Sequence, residues 1–137
     1  MKLRIKGDSV RLRLTIGDVE QLGRTGRVEE TLEFGSSPGQ RFAFALSSSD
    51  DIDRPTVDLG NNSISVRLPR NLAGEWGQTD RVSISGAQAI AGGKTLYILI
   101  EKDFACLKER PGEDDKDSFP NPLSETACQS DEAKWKG

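Results

Sequence analysis

The stretch Asn62-Ser63-Ile64-Ser65-Val66-Arg67-Leu68-Pro69 decides the fold, because Asp8-Ser9-Val10-Arg11-Leu12-Arg13-Leu14-Thr15 stands in the same pattern 54 residues earlier. In both, apolar and polar residues alternate with a period of two, the mark of a strand with one face on a core. Sliding residues 2–49 onto 56–103 needs no gap. Identities recur at Gly23/Gly77, Thr25/Thr79, Arg27/Arg81, Val28/Val82 and Gly39/Gly93. The apolar register recurs as well, with Leu3/Val57, Ile5/Leu59, Leu22/Trp76, Phe42/Leu96, Phe44/Ile98 and Leu46/Ile100. It slackens at 29–38 against 83–92, where Leu32 and Phe34 face Gly86 and Gln88.

Each copy has one grammar. Leu3 and Ile5 alternate with Lys2, Arg4 and Lys6, Gly7-Asp8 makes a turn, and Val10, Leu12 and Leu14 alternate with Arg11 and Arg13, which predicts a hairpin. Gly60-Asn61-Asn62 takes the turn in the second copy. A short helix follows. Thr15 with Asp18 forms a capping box, and Ile16, Val19 and Leu22 share one helical face. Pro69 suits the first turn of the second helix, with Leu72, Ala73 and Trp76 on its apolar face. Gly23, Gly26 and Gly77 mark helix ends. Two more strands close each copy, 28–34 with 40–46 and 81–85 with 94–100.

The chain therefore reads as two tandem ββαββ repeats, 2–49 and 56–103, joined by a polar linker at 47–55 and followed by a tail at 104–137. The fold class is mainly β with two short helices. A repeat of about fifty residues is too small to bury a stable core alone, so the two pack into a single domain, 1–103.

Charge divides the chain differently. Residues 1–27 carry Lys2, Arg4, Lys6, Arg11, Arg13, Arg24 and Arg27 against Asp8, Asp18 and Glu20, whereas 101–137 hold ten acidic and six basic groups. A basic front and an acidic tail thus hide beneath a net charge of −3. With 137 residues a multidomain enzyme is excluded. No apolar run reaches the roughly 18 residues that span a bilayer, and Met1-Lys2-Leu3-Arg4 lacks the apolar centre of a secretion signal, so a cytoplasmic location without membrane contact is expected. Cys106 and Cys128 then read as reduced thiols, and without histidine the common mixed zinc sites are excluded.

The pattern Asn62-Ser63-Ile64-Ser65-Val66-Arg67-Leu68-Pro69, a short helix, Asp80-Arg81-Val82 and Gly93-Lys94-Thr95-Leu96 resembles the AbrB/MazE family of swapped-hairpin proteins. The first copy is a looser match, with Thr15 where the proline stands. Members of that family interleave the hairpins of two chains into one small barrel. Two fused copies imply a pseudo-two-fold swapped-hairpin β-barrel within one chain, hence a monomeric pseudo-dimer. The chain ends, Met1-Lys2-Leu3-Arg4-Ile5-Lys6-Gly7 and Glu101-Lys102-Asp103-Phe104-Ala105-Cys106-Leu107 with Phe119-Pro120-Asn121-Pro122, are also similar to an uncharacterised bacterial protein family, which names no activity.

The first resemblance implies a DNA-binding regulator that grips double-stranded DNA through the first hairpin of each half, at Arg13 and Arg67 and at the turn serines Ser9 and Ser63. The residues themselves extend this: Lys2, Arg4, Lys6 and Arg11 complete a basic strip on the first hairpin, and a two-stranded ribbon fits a major groove. The second hairpin places Thr56, Asp58 and Gly60 opposite Lys2, Arg4 and Lys6, so the grip is one-sided. A solvated amphipathic hairpin whose charge protects an edge strand reads the same residues without a ligand.

The tail offers a second function. Glu113, Asp114, Asp115 and Asp117 beside Phe119 form an acidic segment with an apolar anchor, suited to a basic protein partner or to folding back over Lys2, Arg4 and Arg13. Catalysis is not expected. The carboxylates of Asp114-Asp115-Lys116-Asp117 lack calcium-loop spacing, no nucleophile and base are paired, and Gly92-Gly93-Lys94-Thr95 precedes a strand rather than a helix, the wrong setting for a phosphate loop. No cofactor or metal is expected.

Overall fold

The structure, a computed structural model, describes residues 1–104 and residue 119. Met1–Asp103 forms one compact unit. The tail residues Glu113, Asp114, Asp115 and Asp117, with Cys106 and Cys128, lie outside the described residues. Phe104 and Phe119 are both exposed.

The fold is mainly β with two helices. In chain order it runs β1 (Lys2–Lys6), β2 (Ser9–Leu14), α1 (Ile16–Thr25), β3 (Arg27–Glu33), β4 (Arg41–Ser49), β5 (Thr56–Gly60), β6 (Ser63–Pro69), α2 (Arg70–Gln78), β7 (Ser83–Ile90) and β8 (Lys94–Lys102), with a 3₁₀ turn at Ala91–Gly93. The strands form two four-stranded sheets, β1-β2-β8-β7 and β3-β4-β6-β5. No backbone ladder joins the sheets into one closed barrel among the described residues. Each sheet takes one hairpin from before the linker and one from after it. The seams are parallel: β2 lies along β8 with Ser9 beside Tyr97, and β4 lies along β6 with Ala43 beside Ser63.

Turn chemistry sets both short hairpins. Asn61 and Asn62 both have positive φ (51° and 57°), as a two-residue type I′ turn demands, and Gly7 supplies φ +56° between β1 and β2. Helix α1 begins on the expected capping box: the Asp18 N–H donates to Thr15 Oγ1 at 3.2 Å and the Thr15 N–H donates to Asp18 Oδ2 at 3.0 Å. It ends at Gly26 in the left-handed region, φ 81°, whose N–H donates to the Leu22 carbonyl at 2.8 Å. Gly23 and Gly77 lie inside the helices rather than at their ends. Pro69 stands just before α2, closing β6, because it has no N–H to give a ladder or a helix.

Three further sequence expectations are corrected. Ser47, Ser48 and Ser49 belong to β4, so the linker shortens to 50–55. Ile16 is 80 % exposed, and the buried face of α1 rests on Leu22. The third correction is a register change. Val28 pairs with Leu46 across β3 and β4, but Ile100, 54 residues beyond Leu46, pairs with Ile84 rather than Val82. Val28 and Ile84 are buried, whereas Val82 is half exposed. Helix α2 stops at Gln78 and four residues precede β7, where only Gly26 separates α1 from β3. A slip of two residues keeps every side chain on its face, since the strand period is two. The slip removes two residues from the hairpin loop and one further ladder pair, Ile90 with Lys94, removes two more, so that 34–40 in the first hairpin corresponds to 91–93 in the second.

The core lies between the sheets and under the helices, drawing Leu12, Leu14, Leu46, Val66, Leu68, Trp76, Ile84 and Ile100 into one buried cluster. Trp76 is fully buried. Its Nε1–H donates to the Val82 carbonyl at 3.0 Å, and the Lys102 ammonium lies 5.7 Å above its ring while donating to the Thr79 carbonyl at 2.7 Å. At the edges, the Gln88 amide meets the exposed backbone of β5 on both counts: Oε1 accepts from the Val57 N–H at 2.9 Å and Nε2 donates to the Val57 carbonyl at 3.0 Å. A side chain thus takes the place of a neighbouring strand for one residue.

The Met1 ammonium ties β1 to α1 and β3, at 2.8 Å from Asp18 Oδ2 and 3.1 Å from Glu30 Oε1. Burial acts to lower the ammonium's pKa, but hydrogen bonds and charge from Asp18 and Glu30 outweigh it and raise the value. Burial likewise acts to raise the Asp18 carboxyl, and hydrogen bonds from the ammonium and Thr15 bring it below the usual carboxylate range.

Two outcomes are expected. Trp76→Phe, which takes from the Val82 carbonyl one of its two donors and leaves it the Lys102 N–H at 3.1 Å, lowers stability by about 0.5–1.5 kcal/mol in urea unfolding followed by circular dichroism. A raised ammonium pKa stabilises the fold below its unfolded value, near about pH 8, and a lowered carboxyl pKa stabilises it above its unfolded value, near about pH 4. The stability difference between wild type and Asp18→Asn is therefore level across that window in urea titrations, and shrinks as pH falls through the folded Asp18 pKa or rises through the folded ammonium pKa.

Candidate nucleic-acid interface

Strand alternation decides what the outer face of the first sheet carries. The antiparallel register sets Lys2 opposite Arg13, Arg4 opposite Arg11 and Lys6 opposite Ser9, so all of these share a face. Leu3, Ile5, Val10, Leu12 and Leu14 point the other way, and Val10, Leu12 and Leu14 are buried. The parallel seam then adds Tyr97 beside Ser9, Leu99 beside Arg11 and Glu101 beside Arg13 to the same outer face. The hairpin thus presents five cations with two directly opposed like-charge pairs, an arrangement that costs stability unless an anion answers it.

One answer is internal. Glu101 Oε1 accepts from Arg11 Nη2 at 3.0 Å and from Arg13 Nε at 2.9 Å. The three side chains are 18 %, 20 % and 16 % exposed for Arg11, Arg13 and Glu101, so solvent screens this contact weakly. Arg11 Nε is buried with no acceptor. At the end of the strip, the Lys2 ammonium lies 3.6 Å from Asp103. Arg4 is exposed at the middle of β1. Lys6 is exposed at the hairpin tip.

Sheet β3-β4-β6-β5 is built differently at the equivalent positions. Arg67 has Ser47 on one side and Thr56 on the other, and its Nη2 donates to Ser49 Oγ at 3.4 Å. Its outer face balances charge by neighbours, with Arg27 2.6 Å from Glu29 and Arg41 3.7 Å from Glu33. The structure therefore gathers Lys2, Arg4, Lys6, Arg11 and Arg13 on one face and leaves Arg67 and Ser63 on the other sheet. Ser9 and Ser63 serve their turns: Ser9 Oγ donates to the Lys6 carbonyl at 2.6 Å and Ser63 Oγ to the Gly60 carbonyl at 3.0 Å.

Glu101 is the residue that the sequence pattern left among the tail's acids. Its signal was the continuation of Tyr97 and Leu99 at period two. A groove of about 540 Å³ also opens between the helices, floored by Gly23, Ala73, Gly74 and Gly77 and rimmed by Arg24 and Arg70. Arg70 is held 3.0 Å from Asp50. Among the described residues no group of His, Cys, Asp and Glu is placed to hold a metal, and no helix is long and apolar enough to cross a membrane.

Residues 1–123 match a family of unknown function, DUF7009. The chain belongs to that family. The match takes in the whole compact unit and with it every residue of the basic hairpin. No curated protein and no solved structure matches this DUF7009 chain.

Since the turn serines spend their hydroxyls on the hairpin backbone, Ser9→Ala and Ser63→Ala each lower stability by about 0.5–1.5 kcal/mol in urea unfolding and leave the salt dependence of any anion binding unchanged.

Proposed function

We propose that this DUF7009 protein is a non-catalytic DNA-binding regulatory module of AbrB/MazE-like descent that acts as a monomer and meets duplex DNA through the β1–β2 hairpin. The observation that carries the reading is the cation strip: Lys2 opposite Arg13 and Arg4 opposite Arg11 place like charges directly across a ladder. A phosphate backbone relieves that repulsion, and a two-stranded ribbon has the width of a major groove. Among the described residues the rest of the outer face, with Tyr97 and Leu99 beside the strip, offers no second strand of cations. Contact is accordingly confined to one hairpin, and binding is of modest affinity.

The proposed descent is a tandem swapped-hairpin unit, with the pseudo-dyad internal to the chain. It is supported by the two parallel seams. Ser9 lies beside Tyr97 and Ser63 beside Ala43, and adding 54 to Ser9 and Ala43 gives Ser63 and Tyr97. The same displacement relates the two outer hairpins, which pair Leu3 with Leu12 and Val57 with Val66.

The test is a salt titration of the full chain against a fluorescein-labelled duplex, read by anisotropy. Log K falls against log salt with a slope of about −0.9 per phosphate contact. Arg4→Gln and Lys6→Gln each reduce the slope by about one contact, and Arg67→Gln, on the other sheet, changes it least. Absence of binding at about 50 mM salt, where such contacts are strong, removes the reading.

A further inference from the structure

Glu101 is unusual for a carboxylate on a basic face because it serves two guanidiniums with one oxygen, Oε1. Arg11, which reaches Glu101 through Nη2, then lacks the two-oxygen fork that makes an arginine–carboxylate pair strong. Arg11 keeps a buried Nε–H with nothing to donate to. Among the described residues Arg11 thus brings more donors than its acceptor satisfies, as a site does when a larger anion with several oxygens is its intended occupant.

Nor does this kind of sheet require an acid at that position. On the other sheet the residue beside Arg67 is Ser47, in the place that Glu101 holds beside Arg13, and the β4–β6 seam is intact. Among the described residues the charged groups facing the pair are Lys2 and Arg4 on β1, Arg11 and Arg13 on β2, and Asp103 just past β8, which lies 3.6 Å from Lys2. The acid's distinctive contribution is therefore its charge, set where a ligand anion would sit.

We infer that Glu101 is a built-in competitor, an internal carboxylate that occupies the Arg11 and Arg13 donors and yields them to a phosphate group only by exchange. The inference rests on the DNA-binding reading and deepens it: Glu101 sets the affinity of the hairpin, and its neutralisation releases two further phosphate contacts. A carboxylate that merely props the arginines in a binding posture would have the opposite effect when removed.

The test compares full-length wild type with Glu101→Gln and with Glu101→Ser, the latter copying the residue found beside Arg67. Duplex binding in both variants is expected to tighten by about tenfold at low salt, with a salt slope steeper by up to about two contacts. Unchanged or weaker binding in both variants, with wild-type unfolding curves, overturns the inference while leaving the DNA reading standing. Pyrophosphate, followed by the Nε–H resonances of Arg11 and Arg13, separates the two ideas from the other side. If the variants bind pyrophosphate more tightly than wild type but no form binds duplex, the competitor stands as an anion gate and the DNA reading falls. If the variants gain nothing for pyrophosphate either, the competitor falls.

Discussion

The two parallel seams, β2 along β8 and β4 along β6, are the constraint on which the rest depends. Each hairpin is local and quickly closed, but a two-stranded hairpin is marginal in water by itself. Only when a hairpin from one side of the linker lies against one from the other does a four-stranded face exist to bury Leu12, Leu46, Val66 and Ile100. Helices α1 and α2 then supply Leu22 and Trp76 to the same cluster. The seam also creates the candidate interface, since it is β8 that carries Glu101 to Arg13, from the far end of the unit in sequence to its beginning.

Much of this was legible from alternation and turn chemistry. Period-two patterning located β1, β2, β5 and β6, and Gly7-Asp8 and Asn61-Asn62 located their turns. Thr15 with Asp18 marked the start of α1. Less was legible where one physical role can be filled from two adjacent registers. Val82 has the composition of a core residue and aligns with Val28, yet Ile84 takes the buried place because α2 is followed by four residues before its strand. Local sequence does not report a slip of two, for every side chain keeps its face. Ser47, Ser48 and Ser49 read as linker by composition, but the β6 ladder holds them in a strand, a case of tertiary pairing overriding propensity.

The candidate site divides in the same way. The cations of the first hairpin and their shared face followed from the residues between Lys2 and Arg13 alone. The carboxylate that answers two of them did not, because that contact joins β2 to β8 across a parallel seam whose register no local pattern specifies. The turn serines illustrate the reverse. Their position was clear, and their hydroxyls are already committed to the Lys6 and Gly60 carbonyls.

The interlacing also bears on how the chain matures during translation. Sheet β3-β4-β6-β5 draws only on Arg27–Pro69 and is complete in sequence before α2 is made, whereas sheet β1-β2-β8-β7 waits for Lys102. A nascent chain leaving the ribosome can zip the second of these surfaces only after the first, and until then the basic ribbon has neither its acidic counterweight nor a neighbouring strand. The least protected period of this protein's life is thus the interval in which its most cationic segment is already outside and its closing strand is still being synthesised.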